Sequence, residues 1–316
     1  MALPFQFLGI HYASYAFSAT NCLLLGACFY ALVEHFRLDW NERLLLLGVF
    51  TMFYPVMFLL ERGNLDGLML SLMLLAIFSR NSIVRGLGLG LSVSLKAYSI
   101  LLLGPFLLGR LRKAVALCLL VVLGLLLSFH SLLLPFLQAQ RARSLDSSIL
   151  ENISPAALLP GGVKYSWLRL VFTVLWAGSF VFLLHYTRRA SVTSRSISSL
   201  PWMMAMPLHV FPYTGVLCLP LLVLRHAVVV RRGKVSRGDT LFVAGFLLLG
   251  TQQRAATEYL IWLTHSHQLF GTFNALGTVL VMLSTLIHAK DTAADPDSDY
   301  RGSDTVRRQL SQIRST

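Results

Sequence analysis

The chain has 316 residues, of which 55% are hydrophobic and 13% charged, with a formal net charge of +13. Soluble domains carry about 25% charged residues, so a water-soluble fold is excluded for want of polar surface to cover the apolar part. The Lys and Arg residues fall in short clusters between apolar stretches, which is the positive-inside pattern and not a nucleic-acid footprint, so no nucleic-acid partner is expected.

An all-α polytopic membrane protein follows, and at roughly 20 apolar residues per span there is room for about eight to ten transmembrane or re-entrant helices. In chain order the apolar stretches run over 14–34, 43–60, 65–79, 83–109, 114–134, 167–187, 197–224, 240–252 and 256–288. Together they make one membrane domain, 1–288, and the polar remainder, 289–316, is expected to be a disordered cytoplasmic tail. Met1 is followed by an apolar segment without a basic region, so no cleavable signal peptide is expected. Cys22, Cys28, Cys118 and Cys218 lie inside apolar runs with no CxxC spacing, which argues for neither disulfides nor a metal site, and no cofactor is implied.

Two stretches are too broken for simple spans. Residues 83–109 contain Lys96, Gly104 and Pro105, and 197–224 contain Pro201, Pro207, Pro212 and Pro220. If each stretch crossed once, the basic loops at Arg80 to Arg85 and at Arg110, Arg112 and Lys113 would face opposite sides, against the positive-inside rule. Reading both stretches as helical hairpins that enter and return puts these loops on one face with Arg188, Arg189, Arg195, Arg225, Arg231, Arg232, Lys234 and Arg237. That face is expected to be cytoplasmic. The N-terminus, the turn from Glu61 to Asp66 and the segment of about 138–165 go to the other.

Ionisable groups at membrane depth are costly and are retained when paired, hydrated or functional. Glu61, Arg62, Asn64 and Asp66 form a polar turn, either a ligand-contacting surface or an ordinary connection in which Asn64 or Asp66 caps the next helix. Lys96 has no acid within ten residues, so its partner is remote in sequence: it is either half of an ion pair with Asp66 or Glu61, or a cation for a phosphate or pyrophosphate ligand. His209, in MPLHVFPY, falls at the tip of the second hairpin, where a structural role competes with a catalytic one. Asn152 and Ser154, in LENISPAALL, either serve a ligand or cap a short interfacial helix. The run GLGLGLS at 86–92 has no strand before it and is better explained by close helix packing than by phosphate binding. The arginines from 225 to 237 are read as anchors toward anionic lipid.

Three blocks resemble glycosyltransferase family 87, the polyprenol-phosphate-mannose-dependent mannosyltransferases of the GT-C group. The first is FLLERGNLDGLMLSLMLLAIF followed by GLGLGLSVSLKAYSILLLGPFLLGRLRK; the second is LENISPAALL; the third is SSLPWMMAMPLHVFPYTGVLCLPLLVL. The resemblance implies a GT-C-like fold in a bacterial inner (plasma) membrane, with its active face extracytoplasmic and a place in cell-envelope assembly. The donor would be a polyprenyl-phosphate hexose, mannose first, and the acceptor a lipid or glycan. It implies substrate-binding roles for Glu61, Arg62, Asn64, Lys96, Asn152, Ser154 and Trp202, with no metal; Asp66 and His209 are the candidates for catalytic roles, although none of the outer-face acids, Glu61, Asp66, Asp146 and Glu151, has the position that the family demands of its base. Family members also carry an additional N-terminal helix and a loop with an aspartate that acts as base. The sequence MALPFQFLGIHYASYAF resembles the segment after that loop, so a truncated or inactive remnant that transfers weakly is expected, or a partner subunit that supplies the missing part. Trp202 and His209 are also spaced more widely than in the family. Paired re-entrant hairpins with ionisable tips suit a secondary transporter or lipid-handling protein as well, although no internal repeat supports it, and a non-catalytic subunit of a glycan-assembly complex is the third reading.

Overall fold

A computed structural model of the protein describes residues 9–62, 65–131, 135, 138, 166–205, 212–250 and 270–294. The principal elements are α1 (Gly9–Phe36), α2 (Trp40–Met52), α3 (Tyr54–Arg62), α4 (Asp66–Phe78), α5 (Ser82–Leu95), α6 (Leu103–Leu108), α7 (Arg112–Ser128), α8 (Ser166–Tyr186), α9 (Val192–Met204), α10 (Cys218–Arg232), α11 (Arg237–Gly250) and α12 (Phe270–Ala294). Short 3-10 helices at Ala97–Leu102, Thr187–Arg189 and Pro212–Leu217 lead into α6, follow α8 and lead into α10. No strand occurs among the described residues, and the protein is an all-α polytopic membrane protein. Three stretches are long and apolar enough to cross a bilayer: Tyr15–Phe36, Leu170–Arg189 and Thr214–Arg232.

Helix register decides the threading. Oδ1 of Asn21 lies at Gly67, Cys28 Sγ is 3.1 Å from Ser71 Oγ, and His35 stacks on Phe78, so α1 and α4 run parallel. The path between them returns along α2 and α3. A Cβ at Gly86 would meet Ala114 and Leu117, and one at Gly90 would meet Cys118 and Val121, so α5 and α7 are also parallel. Between two parallel neighbours the chain must double back, and it does so from Lys96 through the 3-10 helix and α6. The span 83–109 is therefore a hairpin, with Arg80 to Arg85 and Arg110 to Lys113 at one end. The second hairpin is tied to that end at both feet. Arg195 Nη1 donates to Pro105 O at 3.3 Å near the start of α9, and Arg231 Nη2 donates to Phe36 O at 3.4 Å at the end of α10. Helices α11 and α12 pack antiparallel, with Gly245 against Gly277 and Gly238 against Ser284.

Local sequence explains where the helices start and stop. Four helices that leave the basic end open on side-chain caps. Asp39 and Glu42 form a capping box on α2, Asn81 accepts from Ile83 N, Ser191 accepts from Ser194 N, and Ser236 and Asp239 cap each other's backbone at the start of α11. Gly233, at φ 65, supplies the left-handed turn that ends α10. Arg37 and Arg110 take the same left-handed conformation, at φ 54 and 58, where glycine is the usual occupant. In both turns an N–H one residue later reaches back to a helix carbonyl, Leu38 N to Val33 O and Leu111 N to Phe106 O.

The hydropathy stretch 197–224 stops short because it ends at two charges that the fold buries. Helices α9 and α10 run past Arg195 and Arg225, each 3% exposed, so neither is the loop residue expected from sequence. Arg195 donates to the carbonyls of Thr187, Arg188, Ala190 and Pro105, collecting the chain ends after α8 and in α6. Arg225 donates to Ser284 O and Oγ at 2.8 and 3.1 Å and stands 3.5 Å from Asp239 Oδ1, joining α10, α11 and α12. The stretch 43–60 is also divided, at Phe53 before Tyr54 and Pro55, where the Phe53 ring stacks on Phe246 at 4.2 Å. The last helix continues to Ala294.

Candidate functional site: a lysine and an aspartate at a helix break

Helix α5 ends because Lys96 leaves helical geometry, at φ −147 and ψ 113, and the next six residues tighten into a 3-10 helix. At 1.5 Å per α-helical and 2.0 Å per 3-10 residue, α5 rises about 21 Å from the basic end and the 3-10 helix with α6 descends about as far. Lys96 therefore sits at the turning point, well inside a hydrocarbon layer of about 30 Å if α5 stands near the membrane normal. Pro105 and Gly104 lie in the returning arm, where an unbroken helix is not needed.

At that depth Lys96 Nζ donates to Asp66 Oδ2 at 2.7 Å, and Tyr98 Oη donates to Asp66 Oδ1 at 2.6 Å. The ammonium also lies 5.8 Å from the centroid of the Tyr98 ring, close enough for a cation–π attraction. Both carboxylate oxygens thus accept hydrogen bonds, and the Asp66 side chain is fully buried. Lys96 keeps 23% of its side chain exposed. The pair is asymmetric: the acid is enclosed, while the base keeps part of its side chain exposed. Removing one member of a buried ion pair costs about 3–5 kcal/mol because the other charge is stranded, so the pair is held as a unit.

The first turn of α4 shapes the rest of the site. Its N-cap position is Leu65, which offers no side-chain acceptor, so the first amide N–H groups of this helix point toward the site end without the caps seen on α2, α5, α9 and α11. Gly67 allows Asn21 of α1 to lie against this turn; a Cβ at Gly67 would come 2.5 Å from Asn21 Oδ1. Asn21 is 2% exposed, and its Nδ2 has no hydrogen-bond partner. A buried amide donor left unpaired costs about 1–3 kcal/mol.

The second hairpin closes round the same region. The 3-10 helix Pro212–Leu217 packs on α3 and α4, with Gly215 against Pro55, and α9 packs on the 3-10 helix that follows Lys96. Trp202 is fully buried in α9. Its indole N–H donates to Ser179 Oγ at 2.9 Å, and its carbonyl accepts from Trp176 Nε1 at 3.0 Å, so its polar groups bind α9 to α8.

Of the candidates named from sequence, Asp66 and Lys96 are brought together, and Trp202 stands against α8. Glu61 and Arg62 end α3, one turn of chain before Asp66; their side chains lie outside the described residues, as do Asn64, Asn152, Ser154 and His209. Tyr98 and Asn21 were not singled out. Tyr98 comes into reach only because the helix breaks at Lys96, and Asn21 carries no signal beyond being an amide in an apolar run. No group of three or more metal-ligating His, Cys, Asp or Glu side chains occurs among the described residues.

The family model of glycosyltransferase family 87 matches residues 1–251. No curated protein and no solved structure matches the chain.

Proposed function

The chain belongs to glycosyltransferase family 87, and from that premise we propose that this membrane protein transfers a hexose, mannose first, from a polyprenyl-phosphate donor to a lipid or glycan acceptor. The observation that carries the reading is Lys96: an ammonium fixed by Asp66 and Tyr98 at a helix break, with part of its side chain exposed. A lipid-linked donor requires a cation for its phosphate beside the layer that holds its prenyl chain, and a paired ammonium in the half of that layer away from the basic end suits it. The arginine-rich end faces the cytoplasm by the positive-inside rule, so the Lys96 end opens to the extracytoplasmic side of what we take to be a bacterial inner membrane, with a GT-C-like arrangement around it.

In the reaction the acceptor oxygen bonds to the sugar's anomeric carbon while the bond from that carbon to the phosphate oxygen breaks. The polyprenyl phosphate leaves with the electron pair, and Lys96 stabilises the charge that grows on it. The acceptor's proton passes to a base at the same end. Asp66 suits this step poorly because both its oxygens already accept hydrogen bonds, so we assign it the orientation of Lys96 and leave proton acceptance to His209 or Glu61. Glu61, Arg62, Asn64, Asn152, Ser154 and Trp202 remain proposed contributors to the binding surface, and a partner subunit remains a proposed associate.

The test is transfer of radiolabelled hexose from polyprenyl-phosphate mannose, and in parallel from the glucose analogue, by purified protein in nanodiscs with membrane-lipid acceptors. Transfer that depends on Lys96 is expected. Donor binding unchanged in Lys96→Met would sink the assignment of the phosphate.

A further inference from the structure

We propose that Asp66 sets the charge selectivity of the site: by cancelling the charge of Lys96 it lets the site hold a phosphodiester, with one negative charge, and release a phosphomonoester, with two. This deepens the reading of Lys96 as the cation for the donor's phosphate, and it rests on that reading.

The Lys96 ammonium donates to Asp66 Oδ2 at 2.7 Å, so a phosphate that comes to Lys96 meets an ion pair and not a bare cation. Tyr98 Oη donates to the other oxygen at 2.6 Å, which holds the acid as a carboxylate that accepts on both sides. The Asp66 side chain is fully buried, so water does not screen its charge by direct contact, and an anion a few ångströms beyond the ammonium still feels it.

Two effects then scale differently with the charge of the ligand. Attraction to the pair rises in proportion to that charge and is weakened by Asp66. The cost of taking the ligand's charge out of water rises with its square in the Born picture. A lone ammonium offsets that cost for a dianion better than the pair does. Doubling the charge therefore gains little at the pair and costs much, which favours the singly charged ester.

The reaction proposed above converts the one ester into the other. The donor is a diester with one negative charge. When the bond from the anomeric carbon to the phosphate oxygen breaks, that oxygen keeps the electron pair and the acceptor's proton goes to the base. The prenyl phosphate is left with up to about two charges. Lys96 favours the growth of that charge, and Asp66 keeps the product from being trapped on Lys96. Asp66 acts through Lys96 and not by contact with the ligand, so it is a positioning residue that also sets specificity.

The probes are farnesyl phosphate, a monoester, and farnesyl methyl phosphate, a diester of the same chain. Each is titrated at about pH 8, where the monoester is mostly doubly charged, into the full-length protein in zwitterionic nanodiscs, with partitioning into empty nanodiscs subtracted. Wild type should bind the monoester no more tightly than the diester. Asp66→Asn, which removes the charge at nearly constant shape, should tighten the monoester relative to the diester by about tenfold. Asp66→Glu keeps the charge and should keep the wild-type ratio. A wild-type preference for the monoester of about tenfold overturns the proposal, and this measurement decides it even if Asp66→Asn fails to fold. An unchanged ratio in Asp66→Asn, or an Asn-like ratio in Asp66→Glu, overturns it too. In each of these cases, weaker binding of both esters by Lys96→Met leaves the lysine reading standing. Binding of both esters that is unchanged in Lys96→Met overturns the lysine reading and this one with it.

Discussion

The two broken hairpins use charge in opposite ways. In the first, 82–108, the charge is at the tip: Lys96 sits where the chain turns, and its partners come from a different element and from the residue two places on. In the second, 192–232, two charges, Arg195 and Arg225, are consumed inside the protein. Arg195 spends its donors on four carbonyls, and Arg225 spends its own on Ser284 and Asp239. A buried cation whose hydrogen bonds go to carbonyls, a hydroxyl and a carboxylate of neighbouring elements is a fastener. Lys96 is paired with an enclosed acid and keeps part of its side chain exposed, which is the feature that the proposed phosphate role uses.

That contrast can be broken by substitution. The largest effect on function is expected for Lys96→Met, which should lower transfer by at least about a hundredfold through lost charge stabilisation, and should raise the KM for donor. An equal loss of melting temperature and activity would instead place Lys96 with the fasteners. Next comes Arg195→Leu, which removes the hydrogen bonds to four carbonyls and should lower unfolding stability by about 2–4 kcal/mol, read as an earlier melting transition in detergent. Its surviving folded fraction should keep the wild-type KM for donor, and a raised KM would blur the distinction between the hairpins. Tyr98→Phe sharpens the comparison from the ligand side: one hydrogen bond to Asp66 is lost, and donor affinity should fall roughly three- to tenfold as the carboxylate and its lysine loosen. The smallest effect is expected for Trp176→Phe, which removes one bond to the Trp202 carbonyl and should cost about 1 kcal/mol of stability without touching donor affinity.

Much of the fold was legible in the sequence because membrane insertion is governed by coarse properties. Basic clusters at Arg80 to Arg85 and at Arg110 to Lys113 forced 83–109 to return, and the parallel register of α5 on α7 shows that it does. The pairing of Lys96 with Asp66 was also within reach, since an ammonium in an apolar run needs an acid and few were on offer. What hydropathy hides is the buried charge with a good partner. Arg195 and Arg225 ended an apolar window and so looked like loop residues, whereas hydrogen bonding lets their helices carry them inside. Tyr98 was hidden for a different reason: its alignment with Lys96 exists only in the 3-10 geometry that follows the break. Asn21 was hidden because nothing in a linear sequence marks an amide as unpartnered.

Arg37 and Arg110 add a consequence for biogenesis. Each occupies a left-handed turn where glycine would relieve about 1 kcal/mol of backbone strain, and each stands at the basic end. Glycine there would make a more comfortable turn and, under the positive-inside rule, a poorer topological signal. The nascent chain is oriented before it is packed. A residue that costs the finished protein a little stability can thus be the one that ensures the hairpin is threaded the right way round while it is being made.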